Sequence, residues 1–176
     1  RSVREGWSNS LRDAYRAMAA TESRHWWFVG RRAIIRSLIE THVGQREALH
    51  ILEAGCGTGG NLALLGQFGQ VAAFEHDDDA RQHARAATGV DVVPGSLPDG
   101  IDHIVGPFDV IGLFDVLEHV EQDRAAIRAL AARLAGDGTL IATVPALPFL
   151  SSDHDRLHHH HRRYTRQQFA EVLEAG

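Results

Sequence analysis

Short apolar runs that alternate with helix-forming segments dominate this chain of 176 residues. The runs are rich in Val, Ile, Leu and Phe, residue types that favour buried strands. They occupy residues 49–54, 70–75, 90–93, 108–114 and 138–145. Strands separated by helices predict a parallel sheet, because each crossover helix must return the chain and cover a face. We therefore expect an α/β fold with a doubly wound, mostly parallel, Rossmann-like sheet.

Four segments between and before these runs have helical periodicity, namely residues 11–42, 61–69, 78–87 and 121–136. The second of these helices is expected to end near Gly66 or Gly69. In the third, Asp77, Asp78 and Asp79 stand near the positive end of the helix dipole. Gly136 predicts the end of the fourth helix, since glycine is the common C-terminal cap.

The composition narrows the class of protein. Hydrophobic residues make up 44% and charged residues 23%, as in an ordinary single globular domain. A net charge of -5 provides no basic field for nucleic acid or an anionic membrane. The longest apolar candidate, residues 139–150, is interrupted by prolines and is shorter than the roughly 20 residues of a membrane span. Cys56 is the only cysteine, which excludes an internal disulfide and predicts a reducing, cytoplasmic location.

A glycine-rich stretch, "ILEAGCGTGGN" at 51–61, follows the first predicted strand. Glycines there let the backbone turn sharply and approach a ligand closely. Glu75 ends the second strand, 20 residues beyond Gly55, where an acid can accept both hydroxyls of a ribose. The pair predicts an adenosine-containing cofactor. Glu53 completes an E-x-G-x-G-x-G pattern, and its carboxylate would accept from an ammonium group but repel a pyrophosphate.

Two further motifs stand at the fourth and fifth strands: "LFDVLEHV" at 113–120 and "LAGDGTLIATVP" at 134–145, with a tight Gly-Asp-Gly turn. Together with the glycine loop, they resemble the class I S-adenosylmethionine-dependent methyltransferases, in particular the small-molecule branch with "LEHV" after strand four. The segments "HWWFVGRR" (25–32) and "HRRYTRQQF" (161–169) resemble a bacterial subgroup. The resemblance implies methyl transfer from S-adenosyl-L-methionine to a small-molecule acceptor.

The resemblance also implies which residues contact the cofactor. Residues of the first loop would surround the methionine moiety, Glu75 would hold the ribose, and His76 would lie against the adenine. Ser96 and Leu97 stand where the family often has an acidic adenine contact, so backbone and hydroxyl groups are expected there instead. Phe114 and Asp115 would form the floor below the reactive methyl. The full set is Glu53, Ala54, Gly55, Cys56, Gly57, Thr58, Asn61, Glu75, His76, Ser96, Leu97, Phe114 and Asp115.

His119 and Asp115 are the candidate catalytic residues. Histidine is a suitable base because its pKa lies near neutrality, although a structural histidine bonded to the backbone is an alternative. Asp115, Glu118 and His119 also stand at i, i+3 and i+4, so one helical turn would gather them on one face. Related methyltransferases of quinone synthesis hold a divalent metal with an acid-x-x-acid-His set. A metal bound by these three residues is therefore a second hypothesis.

The two ends of the chain are expected to flank the acceptor. The aromatic residues at 26–28 suit either core packing or a lid over the cleft. Arg162, Arg163 and Tyr164 would bind an anionic acceptor or form salt bridges at the sheet edge. In "DHDRLHHHH" (153–161), only a pair of histidines could share an ion, and a flexible loop beside the acceptor is favoured. Cys56 is expected to be a small loop residue and not a nucleophile.

We expect an N-terminal helical lid at residues 1–45 and a cofactor-binding domain at 46–176. Family members have seven strands, and this sequence ends where a sixth would begin, so a continuation beyond Gly176 is expected. Two alternatives remain open from the sequence: a nicotinamide-dependent oxidoreductase and a non-catalytic cofactor-binding module. The acceptor's identity and the oligomeric state are not determined by these residues.

Overall fold

The computed structural model describes residues 24–44, 48–153, 155 and 160–174. Five strands form one sheet: β1 (Leu49–Ala54), β2 (Gly69–Glu75), β3 (Val92–Pro94), β4 (Phe108–Phe114) and β5 (Leu134–Thr143). The helices are α1 (Trp26–His42), α2 (Leu62–Leu65), α3 (Asp78–Thr88), α4 (Asp123–Ala131) and α5 (Arg166–Leu173). Two 3-10 turns, Leu117–His119 and Pro148–Leu150, follow β4 and β5.

The sheet is parallel throughout, with strand order β3-β2-β1-β4-β5. The chain moves outward from β1 to β3 and then crosses back to place β4 on the other side of β1. In doubly wound sheets such a reversal marks the switch point, and the ligand crevice of these folds lies there, at the carboxyl ends of the two strands. The predicted doubly wound parallel sheet is confirmed.

Both faces of the sheet are covered, in keeping with the nearly continuous burial of β1 and β4. On one face, Ile51 and Val110 pack with Ile35 and Ile39 of α1. The other face packs against α4 and α5 through a larger cluster: Leu52, Ile111, Leu113, Ile127, Leu130, Tyr164 and Val172. Ile35 and Ile39 are fully buried, so the described part of the predicted N-terminal helix is integral to the core. The predicted helical residues 11–23 lie outside the described residues.

The boundaries of several elements differ from the predictions. α2 spans only four residues, because Gly66 caps it and the chain turns directly into β2. α4 ends at Ala131, not at Gly136 as predicted. Arg133 donates hydrogen bonds to the carbonyl oxygens of Ala129, Ile101 and Ile104, and Leu134 already pairs with Phe108. The predicted Gly-Asp-Gly turn therefore lies inside β5, at a register shift opposite Phe108–Val110.

None of the helices in the described part of the chain is long and apolar enough to cross a membrane.

The start of β2 offers a test of the strand pairing. A Cβ at Gly69 would overlap the carbonyl oxygen of Leu49, the residue paired with it in β1. We expect Gly69→Ala to lower the free energy of unfolding by about 1–3 kcal/mol, since the overlap forces the two backbones apart. Gly30→Ala is the matched control. A Cβ at this helical position meets nothing within 4 Å, so we expect a gain of about 0.5–1 kcal/mol. Equal urea midpoints for the two variants would contradict this packing.

Candidate active site

The glycine loop begins directly at the end of β1 and lies against the end of β2. Gly55 and Gly57 have φ of 71° and 54°, values that favour glycine. A Cβ at Gly55 would lie 2.9 Å from a methyl group of Val116, so the loop packs closely on the segment after β4. The amides of Gly55 and Cys56 both donate to the carbonyl oxygen of Phe74, at 2.9 and 3.1 Å. These contacts hold the loop at the crevice.

A buried carboxylate lies at the base of this loop. Glu53, the fifth residue of β1, is 1% exposed and accepts a hydrogen bond of 2.8 Å from the side-chain amide of Asn61. Asn61 is itself 5% exposed, and its Oδ1 is a buried acceptor with no hydrogen-bond donor among the described residues. Since a buried acceptor without a donor is costly, these two side chains form a site suited to a cationic donor such as an ammonium group.

Glu75, the last residue of β2, accepts hydrogen bonds from the glycine loop and from the turn after β2. Its Oε2 accepts from the amide of Gly57 at 2.9 Å, and its Oε1 accepts from the amides of His76 and Asp77 at 2.9 and 3.0 Å. The His76 ring lies 2.7 Å from the same oxygen. Burial alone would raise the pKa of Glu75, but the hydrogen bonds from His76, Asp77 and Gly57 outweigh it and lower the pKa. The carboxylate therefore stays ionised and joins the glycine loop to the turn after β2.

The other predicted cofactor residues fall into two groups. The side chains of Ala54, Cys56 and Phe114 are buried in apolar clusters, so that mainly their backbone is available to a ligand. Burial, with Glu53 and Glu75 nearby, raises the pKa of the Cys56 thiol, which fits the expected structural role. Thr58 is also buried, whereas His76, Ser96 and Leu97 are exposed or half-buried beyond the ends of β2 and β3.

Asp115 directly follows β4, with φ of 54°, outside the helical region. Its Oδ1 accepts from the Thr143 hydroxyl at 3.0 Å, and its Oδ2 is paired with the guanidinium of Arg31 from α1. Arg31 in turn lies over the ring of Phe28, 5.4 Å from the centroid. The N-terminal helix thus reaches the end of β4 through one ion pair, and Asp115 points toward α1.

Glu118 and His119 belong to a different cluster from Asp115. The premise that an α-helical turn gathers all three residues is wrong, since only Leu117–His119 form a 3-10 turn and Asp115 precedes it. Three potential metal-ligand atoms lie within 4.8 Å of one another, one each from Glu118, His119 and His160. The rings of His119 and His160 meet edge to face, 4.7 Å between centroids. Burial, with Asp115 adding to it, raises the pKa of Glu118 to about 8.

The segment 160–164 is held by ion pairs within the protein. Arg162 donates to Asp123 at 2.8 Å, and Arg163 donates twice to Asp155, at 2.7 and 3.0 Å. Tyr164 is 3% exposed, donates to Asp123 at 3.1 Å and packs in the core beside α5. Of the two predicted roles for these residues, the contacts favour the structural one. Residues 154 and 156–159 of the histidine-rich stretch lie outside the described residues.

Two residues of the candidate site, Arg31 and His160, were not predicted from the sequence. Arg31 lies within "HWWFVGRR", but the partner of its guanidinium, Asp115, is 84 residues away. His160 is one of four consecutive histidines, and nothing local distinguishes it from its neighbours. Its Nδ1 lies 2.9 Å from Oδ1 of Asp155, only five residues away, but the contact of His160 with His119 depends on the folded chain. The pairing of Arg31 with the distant Asp115 likewise has no signal in a single sequence.

This fold and its glycine loop define a Rossmann-like protein of the methyltransferase type. Residues 15–175 match the model of a methyltransferase domain family, Methyltransf_23, and the chain belongs to this family. The family implies S-adenosylmethionine as cofactor. No protein of curated function is significantly similar to the chain.

Solved structures with the same fold include the PH0226 protein from Pyrococcus horikoshii, at a TM-score of 0.74 and 16% identity over 92% of this chain and 88% of that one. The sugar N-methyltransferase KedS8 from Streptoalloteichus matches at 0.60 and 23% identity, over 69% of this chain and 50% of that one. The (4+2)-cyclase SpnF matches at 0.65 and 21% identity, over 87% and 60%. The chain thus spans only 50% and 60% of the length of the last two. Identities this low establish the fold alone.

The contacts of Glu75 predict how acid affects stability. Its pKa in the folded protein lies below the ordinary 4.5, so the ionised carboxylate stabilises the fold above that pH. The contribution is lost as the pH falls from 4.5 through the folded-state pKa. We expect Glu75→Gln to lower the free energy of unfolding at pH 7 and to differ progressively less from wild type as the pH falls below 4.5. Urea unfolding across this range measures the effect. Glu171→Gln, on the exposed side of α5, should follow the wild-type curve; a Glu75→Gln curve parallel to wild type would contradict the assignment.

Proposed function

We propose that the chain is an S-adenosylmethionine-dependent methyltransferase acting on a small-molecule acceptor, with the cofactor held at the carboxyl ends of β1, β2 and β4. The observation that carries the proposal is the pair of buried carboxylates, Glu53 and Glu75, on either side of a glycine loop. Gly55, Gly57 and Gly60 of the loop are half-buried, and the acids match the cationic and hydroxyl groups of this cofactor.

The residues present fit the cofactor group by group. Glu53 and the Asn61 Oδ1 would accept from the ammonium group, and the backbone of residues 54–58 would line the methionine moiety. Glu75 would accept from the ribose through Oε2, which takes one amide hydrogen bond, from Gly57. His76, Ser96 and Leu97 would border the adenine, and Phe114 and Asp115 would lie below the sulfonium. The cofactor supplies a methyl group activated by positive sulfur.

The chain's own task is alignment and exclusion of water, since methyl transfer is an in-line displacement. We assign Asp115, through Thr143 and Arg31, to positioning at the end of β4, and His119 to removing a proton from an acceptor that must lose one. α1 would form one wall of the acceptor cleft. In this assignment residues 1–45 close the site and residues 46–176 hold the cofactor.

A nicotinamide-dependent oxidoreductase is less well supported. Its pyrophosphate would approach two buried acids, and Glu53 would repel it. A Tyr-x-x-x-Lys constellation for hydride transfer is absent, because the chain contains no lysine. The likeness to KedS8, a sugar N-methyltransferase, supports a small-molecule acceptor. The likeness to SpnF, a cyclase, supports the alternative that a chain with this fold has an activity other than methyl transfer.

Two glycines with positive φ test the cofactor site. Gly57 lies in the loop with φ of 54°, and Gly89 caps α3 with φ of 73° and nothing within 4 Å of an added Cβ. Valine carries a similar backbone penalty at either position, but only at Gly57 would it enter the cofactor's space. We expect Gly57→Val to weaken S-adenosylhomocysteine binding by about 100-fold or more in calorimetry, and Gly89→Val by less than about twofold. Equal affinities would refute the placement of the loop, and tighter binding of NAD would refute the cofactor class.

Turnover distinguishes an enzyme from a cofactor-binding module. With S-adenosylmethionine and pools of sugars, phenols and amines, we expect at least one pool to release S-adenosylhomocysteine above the level without acceptor. The Gly57→Val protein serves as the blank, since it shares every other surface. Cofactor binding with no pool active across the acceptor classes would favour the non-catalytic alternative.

A further inference from the structure

We propose that Glu118, His119 and His160 bind a divalent transition-metal ion of the zinc type, at a site between the 3-10 turn after β4 and the segment that precedes α5. A ligand atom of each residue lies within 4.8 Å of the other two. The inference goes beyond methyl transfer, and with a metal bound His119 serves as a ligand in place of the proton-removing base. Its test measures metal binding and not turnover, so it does not depend on the proposed activity.

Glu118 provides the anionic ligand. The residue is 1% exposed, and its Oε2 is buried without a hydrogen-bond partner among the described residues. Burying a carboxylate oxygen without a donor is costly, and a cation beside it would offset that cost. The carbonyl oxygen of Glu118 also accepts a hydrogen bond of 2.8 Å from the amide of His161. This bond holds the segment that carries His160 beside the 3-10 turn.

His160 has the outer partner that metal-binding histidines usually have. Its Nδ1 lies 2.9 Å from Asp155 Oδ1, an arrangement that orients an imidazole so that Nε2 faces an ion. Asp155 is 3% exposed and is fixed by two hydrogen bonds from Arg163 and one from the amide of Ser152. These hydrogen bonds lower the pKa of Asp155, with the Arg163 contact the largest cause. Asp155 is therefore already held in position to orient the His160 ring.

The ligand types select the metal. Two imidazoles and one carboxylate suit Zn²⁺ or Co²⁺, whereas Mg²⁺ and Ca²⁺ prefer sites built from oxygen ligands. Three protein ligands leave a position for water or for an oxygen of the acceptor. Asp115 is excluded from the set because Arg31 and Thr143 already engage its two oxygens. The site thus differs from the three residues that the sequence spacing suggested.

The competing explanation for any metal affinity is the run of histidines itself, which also contains His158 and His159. The two explanations differ in their need for Glu118 and His119, which lie outside the run. A variant that keeps every histidine of the run but alters Glu118 therefore separates them. Glu118→Gln is nearly isosteric and keeps an oxygen at the position, so its effect reports mainly the lost charge.

The experiment titrates chelator-treated full-length chain with Zn²⁺ by calorimetry and with Co²⁺ by visible absorption. We expect one ion per chain. Glu118→Gln and His119→Ala should each weaken Zn²⁺ binding by about 100-fold or more, since outer partners alone are worth about 10- to 100-fold in other metal sites. The matched controls Glu171→Gln and His83→Ala, both at exposed helical positions, should change it by less than about twofold.

Three results would overturn the proposal: no Zn²⁺ binding by wild type, unchanged affinity in Glu118→Gln, or loss of binding only when His158 and His159 are replaced together. Far-UV circular dichroism checks each variant. If the His119→Ala protein unfolds, the Zn²⁺ affinity of the folded Glu118→Gln protein tests the proposal. S-adenosylhomocysteine affinity, measured in parallel, should not change in Glu118→Gln, so failure of the metal site and failure of the cofactor site give different results.

Discussion

The pairing of β1 with β2 on one side and β4 on the other is the constraint on which this structure depends. Six residues of β1 pair in register with β2, and three with β4, all parallel. Because the strands are parallel, their carboxyl ends meet at one edge, and the loops that leave them must converge there. The glycine loop, Glu75 and Asp115 come together for this reason, although they are separated by 20 to 60 residues of sequence.

The edge formed in this way is unusually acidic for a buried region. Glu53, Glu75 and Glu118 are each less than 5% exposed, and their surroundings differ. Asn61 donates to Glu53, and backbone amides and His76 donate to Glu75, whereas burial raises the pKa of Glu118 and favours its neutral form. Buried acids at this edge disfavour phosphate groups and favour cationic ligands, and a metal ion can replace the proton of Glu118. The proposed sulfonium cofactor and the proposed metal ion both meet that condition, at different places along the edge.

Ion pairs also connect the segments around the end of β4. Arg31 of α1 pairs with Asp115, Arg162 pairs with Asp123, and Arg163 pairs with the nearby Asp155. Asp155 in turn contacts His160, whose ring meets that of His119 edge to face. These contacts hold residues 160–164 next to the turn that follows β4.

The sequence by itself determined the fold class, the five strands and the glycine loop, because apolar periodicity and glycine spacing are local properties of the chain. It also indicated that two acids, Glu53 and Glu75, stand at the ends of the first two strands, because their positions can be counted from the apolar runs. Element ends were less predictable: Arg133 and Leu134 leave the helical pattern because of contacts with residues 101–108, which no local rule contains. Only the tertiary structure decided that Asp115 pairs with Arg31, that Glu118 is buried beside His160, and that Arg162 and Tyr164 both contact Asp123. Each of these depends on which charged groups the closed sheet brings within a few ångströms, and long-range pairing of that kind is set by packing and not by spacing along the chain.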